Sequence, residues 1–541
     1  MYTVAENDSA IAVFSRNPTT GALTFVEQQR DGVGGVDGLG VAHGVAVSPD
    51  GAHVYAVGIA DNAVAVFSRN AATGVLTFVE QQKDGVGGVD GLEAVTSVTV
   101  SADGAHVYTA SYFDNAVVVF SRNATTGGLT FVEQEKDGVG GVNGLAGALE
   151  VTVSPDGAHV YVVGMADSAI AVFSRNATTG ALTFVQVLKD GIGGVDGLAS
   201  ASSVAVSPDG AHVYAASYFA DNAVAVFSRN AATGALTFVQ AQKDGSSGVD
   251  GLAAATAVTV SPDGAFVLAS GWLDDAIAVF RRNAVTGALT FLEAKKRGRT
   301  GVAGLDGISS VTFSPDGANV YATSENDDTL SVFRVICAGA SQNDPCDDGD
   351  VCTTDDRCSD GLCIDQAAPA SGCRTPAVGQ KALLILKDRA TDENDLLTWK
   401  WRKGKATTKA EFGNPVGSDG YALCLYDASG LAATATAPAG GICAGGEPCW
   451  TERRTSFKYE NKNLTPDGLS QVVLKEGLED GKATILVKGK GTMLDMPELA
   501  TLGSPLTVRL KNRVTAACWE ATYSSAGVIR NDSEQFKGKA D

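Results

Sequence analysis

The sequence predicts an all-β protein: a seven-bladed β-propeller, a disulfide-rich linker and a C-terminal β-sandwich. Three observations carry this reading. A motif typified by NAVAVF ends at Phe14, Phe67, Phe120, Phe173, Phe227, Phe280 and Phe333, at a spacing of 53 residues except for 54 before Phe227. A second landmark, SPDG (SADG once), begins at Ser48, Ser101, Ser154, Ser207, Ser261 and Ser314. Finally, six cysteines crowd between Cys337 and Cys373, whereas residues 1–335 have none.

Each repeat holds four strand-like runs, as one copy shows. SVAVS (203–207) meets a PDG turn, followed by AHVYAAS (211–217), NAVAVFS (222–228), an RNAATG turn and ALTFVQ (235–240). Alternating Val, Ala, Tyr and Phe suit pleated strands, and Pro-Asp-Gly and Thr-Gly suit hairpin turns. Four antiparallel strands repeated about seven times describe a propeller, since the coils of a β-helix are much shorter. Met1 aligns with Val54, so the first unit lacks its innermost strand; the seventh lacks its outermost. An open strand edge is an aggregation liability. The sequence therefore reads as N-terminally truncated, its upstream segment holding a signal peptide and the closing strands.

Composition excludes several functions. The net charge of −21 (41 basic, 62 acidic residues) argues against a nucleic-acid partner, which needs clustered Lys and Arg. No run of 18 apolar residues exists, so no transmembrane segment is expected. Charge also marks three regions: 1–335 is net −17, 336–377 is net −6, and 378–541 is net +2. We take these as domain boundaries. The cysteines of 336–377 lack CxxC pairs and histidine, which favours disulfides over zinc. Disulfides place the protein outside the cell or at its surface; a monomer is expected.

The units SPDGAHVYAAS, DNAVAVFSRN and TGALTFV resemble those of the seven-bladed propeller lactonase family, the 6-phosphogluconolactonase-like group, and of surface propellers of the YVTN-repeat type. The resemblance covers about 335 residues. It implies the fold, and for the lactonases a cluster of His, Arg and Glu around one mouth of the central channel. Opening a lactone needs a cation to polarise the carbonyl and a base for water.

Measured against that implication, His53, His106, His159 and His212 repeat in register, as do the arginines from Arg16 to Arg282, and both sets read as structural. His43 departs from the pattern, opening an innermost strand where other copies have Thr96, Leu149, Ser202, Thr256 and Ser309. Glu150 and Glu93 lie nearby in their own copies. If the protein is a lactonase, His43, Glu93 and Glu150 are its catalytic candidates, although no Arg accompanies them. The alternative for all three is polar channel lining.

The loops on the same face vary more. Between the second and third strands stand Ile59, Tyr112 with Phe113, Met165, Tyr218 with Phe219, and Trp272 with Leu273. Aromatics amid acids are expected to bind a carbohydrate, a peptide or another protein, unless they fold back between blades. This makes a binding protein the leading expectation and a lactone hydrolase the alternative. No cofactor is expected. Calcium at the paired acids Asp84/Asp90 and Asp190/Asp196 is the one ion to consider, yet neither EF-hand spacing nor a GGxGxD repeat is present.

The stretch DPCDDGDVCTTDDRCSDGLC (344–363) resembles short Cys-rich modules of secreted microbial proteins. Cys337, Cys346, Cys352, Cys358, Cys363 and Cys373 allow fifteen pairings. Beyond it, ALLIL (382–386), LLTWKW (396–401), YALCLY (421–426), TILVKG (484–489), LTVRL (506–510) and ACWEATY (517–523) read as sandwich strands. Cys443 and Cys449 are placed to close a small loop, and Cys424 and Cys518 to bridge two strands.

Overall fold

The structure is a computed structural model. It describes the chain except residues 19, 298–301, 303, 336–351, 353–356, 360–361, 365–371, 390–391, 429, 444–445, 466, 495, 498, 500–501 and 516. Cys337 and Cys346 lie outside the described residues, as do most of the Asp-rich stretch and the Cys363 side chain. The chain divides into two compact units, one within Met1–Val335 and one that includes Ile336–Asp541.

The first unit is a propeller. Five four-stranded antiparallel sheets stand between two three-stranded ones. The first sheet comprises Tyr2–Ala5, Ala10–Arg16 and Leu23–Arg30. The last comprises Ile308–Phe313, Asn319–Ser324 and Thr329–Arg334. Blades are numbered here in chain order from one to seven. The second and third strands of the middle blades are buried on both faces, as in His212–Ser217, because each blade is sandwiched between two others. Apolar clusters span neighbouring blades: Tyr161 and Val163 pack with Val204, Val213 and Phe227.

A polar latch repeats on one face of the ring. Arg122, its side chain 1% exposed, donates to the Tyr55 hydroxyl, Gly104 O, Asp50 and His53 Nδ1 of its own and the preceding blade. Arg175, Arg229 and Arg282 do the same with Tyr108, Tyr161 and Tyr214. A buried guanidinium is tolerable only when paired and fully hydrogen-bonded, which these are. Because arginine only donates, each histidine accepts at Nδ1 and carries its proton on Nε2. Burial and the adjacent guanidinium lower the pKa of His53, His106, His159 and His212. The repeated histidines are therefore structural, as the sequence indicated.

The same latch joins the two three-stranded blades. Arg16 of blade one binds Asp316, Asn319 and the Tyr321 hydroxyl of blade seven, and Tyr321 donates to Gly21 O. Between blades six and seven the His, Tyr and Arg positions are Phe266, Leu268 and Val335, so three of the four latch positions are apolar and Asp263 alone keeps its type.

The second unit is a sandwich. Its larger sheet has eight strands and its smaller one four: Gly430–Ala437, Tyr421–Asp427, Leu506–Asn512 and Cys518–Tyr523. All six runs read from sequence are strands. Trp399, Trp401, Trp519, Phe457 and Val508 fill the core between the sheets, and Trp399 Nε1 donates across it to the Tyr523 hydroxyl. No helix among the described residues is long and apolar enough to cross a membrane.

The disulfides correct one expectation. Cys443 pairs with Cys449, but Cys424 pairs with Cys352 and Cys518 with Cys373. Leu506–Asn512 lies between the strands of Cys424 and Cys518, with Cys424 opposite Arg509 and Cys518 opposite Lys511. Two strand spacings of about 4.8 Å exceed the usual Cα separation of a disulfide. Cys352 instead joins Ala422, Cys424 and Tyr426 in a cluster on the outer face of the smaller sheet.

Candidate active site

The face opposite the latches carries the inter-blade loops and the channel mouth. Six innermost strands line the channel, and each breaks register near its start, as between Ala148 and Glu150 or Ala42 and Gly44. Such bulges re-aim side chains and recur beside active sites. In four of these bulges the residue inside ties its strand to the next blade. Thr96 donates to Leu149 O (2.7 Å), Ser202 to Ala255 O (2.8 Å) and Thr256 to Ile308 O (3.1 Å).

His43 occupies this position in blade two. Its Nδ1 makes the equivalent bond to Thr96 O at 2.7 Å, so the ring performs the structural task of a threonine. A carbonyl only accepts, so the proton sits on Nδ1 and leaves Nε2 available. Nε2 faces the Glu6 carboxylate at 3.6 Å.

The next position holds Gly44, Ser97, Glu150, Ser203, Ala257 and Ser310 around the ring. Here the side chain accepts from the following blade: Val151 N–H to Ser97 Oγ (3.4 Å), Val204 N–H to Glu150 Oε2 (2.8 Å), Val258 N–H to Ser203 Oγ (3.1 Å). Glu150 thus puts a carboxyl where neighbouring blades use a hydroxyl. Burial pushes its pKa up to about 7, against the Ser203 hydroxyl and the Val204 N–H, which favour the charged form. A carboxyl titrating near neutrality inside a channel is suited to general-base work.

Two acids at the mouth escape a reading that aligns only the aromatic loops. Glu6 and Glu325 hold, in blades one and seven, the position of Ile59, Tyr112, Met165, Tyr218 and Trp272. Aligning Ala5-Glu6 and Ser324-Glu325 with Gly58-Ile59 would have found them. Trp272 Nε1 donates to Glu325 Oε2 at 3.3 Å, and burial together with Glu325 raises the Tyr218 pKa. Glu93 lies exposed in its inter-blade loop, where its N–H donates to Asp114.

The loop aromatics divide by position. Tyr112 reaches the next blade's loop, where a side chain at Gly147 would come within 3.1 Å of its ring. Tyr112, Tyr218 and Trp272 are part-buried, whereas Phe113, Phe219 and Leu273 are 64%, 50% and 61% exposed. Tyr112/Phe113 and Tyr218/Phe219 form edge-on ring pairs.

The inter-blade acids form loop anchors. Asp190 Oδ1 accepts from Leu198 N–H, and Asp221 Oδ2 from Ala199 N–H. Asp190, Asp196 and Asp221 lie close enough to share an ion, yet Lys243 already bridges Asp196 and Asp221 at 2.7 and 2.6 Å. Burial and the adjacent carboxylates raise the Asp190 pKa. Asp84 caps Leu92 N–H and Asp90 accepts from Gln134 at 2.6 Å; among the described residues these two join no such group.

A ring of seven antiparallel blades around a channel with a polar, partly acidic mouth defines a β-propeller. The family model described as Lactonase, 7-bladed beta-propeller matches residues 1–138, 140–295 and 220–338. The chain belongs to this family. Among solved structures, the Pseudomonas aeruginosa periplasmic gluconolactonase PpgL is similar at 21% identity (TM-score 0.43; 53% of this chain, 77% of that one). A Desulfotomaculum acetoxidans protein of unknown function is similar at 15% identity (0.47; 62% and 92%). Kuenenia stuttgartiensis hydrazine synthase is similar at 16% identity (0.44; 62% and 94%). No curated protein matches the sequence.

Proposed function

We propose that the propeller hydrolyses lactones at its channel mouth. The observation that carries this is Glu150, a channel carboxyl whose pKa burial has moved to about 7. In this reading Glu150 takes the proton of the attacking water and returns it to the ring oxygen as the acyl–oxygen bond breaks. His43, held at Nδ1 by Thr96 O with Nε2 turned towards Glu6, orients the substrate at the mouth. The part-buried Tyr218 and Trp272 grip the body of the substrate. Membership of the lactonase family supports the reaction class. Disulfides suit an oxidising compartment, so the site works outside the cytoplasm.

An assay against simple and sugar-derived lactones tests this. Turnover is expected, with kcat/KM rising through an apparent pKa near 7. Glu150→Gln and His43→Ala should each lower it by about 10²-fold or more. Absence of turnover, or wild-type turnover in Glu150→Gln, would overturn the reading.

The exposed Phe113, Phe219 and Leu273 favour a second reading, recognition of a carbohydrate, peptide or protein without chemistry. Replacing Tyr218, Phe219 and Trp272 with Ala would then cost at least about tenfold in affinity, and His43→Ala would change little.

A further inference from the structure

The larger sheet of the C-terminal sandwich has two unlike faces. Its inner residues, among them Leu384, Trp399, Val487 and Phe536, lie in the core. Their alternates point outward, as the two-residue period of a strand requires. On Ala382–Lys387, Leu396–Gly404, Leu469–Lys475, Ala483–Lys490 and Gln535–Lys539, those outward positions are rich in lysine. The smaller sheet's outer face, by contrast, is partly covered by the Cys352 cluster.

Register places the lysines. Lys537 stands opposite Ile385, which is opposite Thr398, which is opposite Lys488. In the adjacent row, Lys539 faces Leu383, Leu383 faces Lys400, Lys400 faces Leu486, and Leu486 faces Val473. Lys490 and Lys475 flank these rows. Lys475, Lys488, Lys490 and Lys539 are exposed. None of these six lysines has a carboxylate partner among the described residues. That is unusual in a chain of net charge −21, where lysines such as Lys136, Lys189 and Lys243 are engaged by aspartates.

We propose that this face docks the protein onto an anionic lipid surface. The charges spread in two dimensions over several strands, with part-buried Leu383, Ile385, Leu486 and Val473 between them. That layout matches a bilayer of phosphate headgroups, into which lysines can reach while aliphatic side chains rest at the boundary. It suits a single nucleic-acid or glycan strand less well. None of these outward positions is aromatic, so none can stack a base or a pyranose ring, and the lysines follow no single file. The propeller region, net −17 over residues 1–335, is repelled by such a surface.

The test is vesicle co-sedimentation with the full chain, using phosphatidylcholine vesicles with or without about one-third phosphatidylglycerol. Binding is expected only to the anionic vesicles and should be lost at about 0.5 M salt. At about fivefold per lysine, Lys400→Glu, Lys488→Glu and Lys537→Glu together should weaken it by about a hundredfold or more. The matching Lys→Arg triple should bind as wild type, and circular dichroism should show both triples folded. Equal binding to neutral vesicles, anionic binding that survives the Glu triple, or binding to a soluble polyuronate but not to vesicles would each overturn the proposal.

Discussion

The two faces of the propeller use similar residue types in opposite ways. On the latch face, Arg, His, Tyr and Asp repeat in register, and Arg122 bonds to Tyr55, Asp50 and His53 of the preceding blade and to Gly104 O of its own. At the channel mouth, the equivalent positions differ from blade to blade: Glu6, Ile59, Tyr112, Met165, Tyr218, Trp272 and Glu325. Repetition marks where the ring needs the same bond at each seam. Variation marks where one location must differ from the rest. A histidine is structural in four copies on one face and a candidate for chemistry in a single copy on the other.

Substitutions that separate the two faces can break this comparison. The largest effect is expected on the latch side. Arg175→Ala leaves Tyr108, His106 and Asp103 without their shared donor, and should cost about 3 kcal/mol or more of stability. Chemical denaturation would measure it; a loss below about 0.5 kcal/mol would make the latch ornamental.

Acid comes next. Folding lowers the pKa of His53, His106, His159 and His212 below the usual 6.5, so the unfolded chain takes up protons first. The stability from neutral histidine is full above that value and falls as pH drops below it. Asp103, Asp156 and Asp209 add a second loss lower down. Against the burial that would raise them, their serine hydroxyls, backbone N–H groups and arginines hold them at about 2. Their contribution therefore disappears as pH falls from about 4 towards 2. A melting temperature flat from pH 7 to about pH 4 would contradict the histidine assignment.

At the mouth the sign reverses. Glu150 has its pKa raised from 4.5 to about 7, so it charges at a cost in the folded state as pH climbs through that window. Glu150→Gln should therefore raise the melting temperature at about pH 8 more than at about pH 5, even as turnover falls. A variant destabilised at both pH values would mean that Glu150 is kept for packing.

The smallest effect is expected at the exceptional seam. Installing Leu268→Tyr and Val335→Arg together should alter stability by about 1 kcal/mol at most, because a buried polar set and well-packed apolar residues are often equivalent. A gain of several kcal/mol would show that the latch, rather than apolar packing, holds the seams.

Much of this was legible because the repeat writes the same strands again and again. A 53-residue period and the PDG turns locate the propeller strands before any geometry is known. The sandwich was less legible. Strands such as Gly430–Ala437, reading GLAATATA, and the five-residue Ser456–Glu460 owe their state to neighbours rather than to propensity. Cysteine pairing was hidden because Cys352 and Cys424 meet across 72 residues, and spacing carries no information on strand order. At the site, His43 and Glu150 stood out as breaks in a repeat. The environment that lifts Glu150 depends on contacts between blades and could not be read from the chain.

The crosslinks from the linker into the sandwich bear on how the molecule is made. Cys352 and Cys373 leave the ribosome long before Cys424 and Cys518, their partners across 72 and 145 residues. In an oxidising environment an emerging thiol first meets its nearest neighbours, and here Cys358 and Cys363 follow Cys352 within a dozen residues. Early bonds among them compete with the native pairs and must be exchanged later through mixed disulfides. Yield should therefore depend on a disulfide isomerase more than on an oxidant. The propeller, with no thiol of its own, can mature while that exchange proceeds.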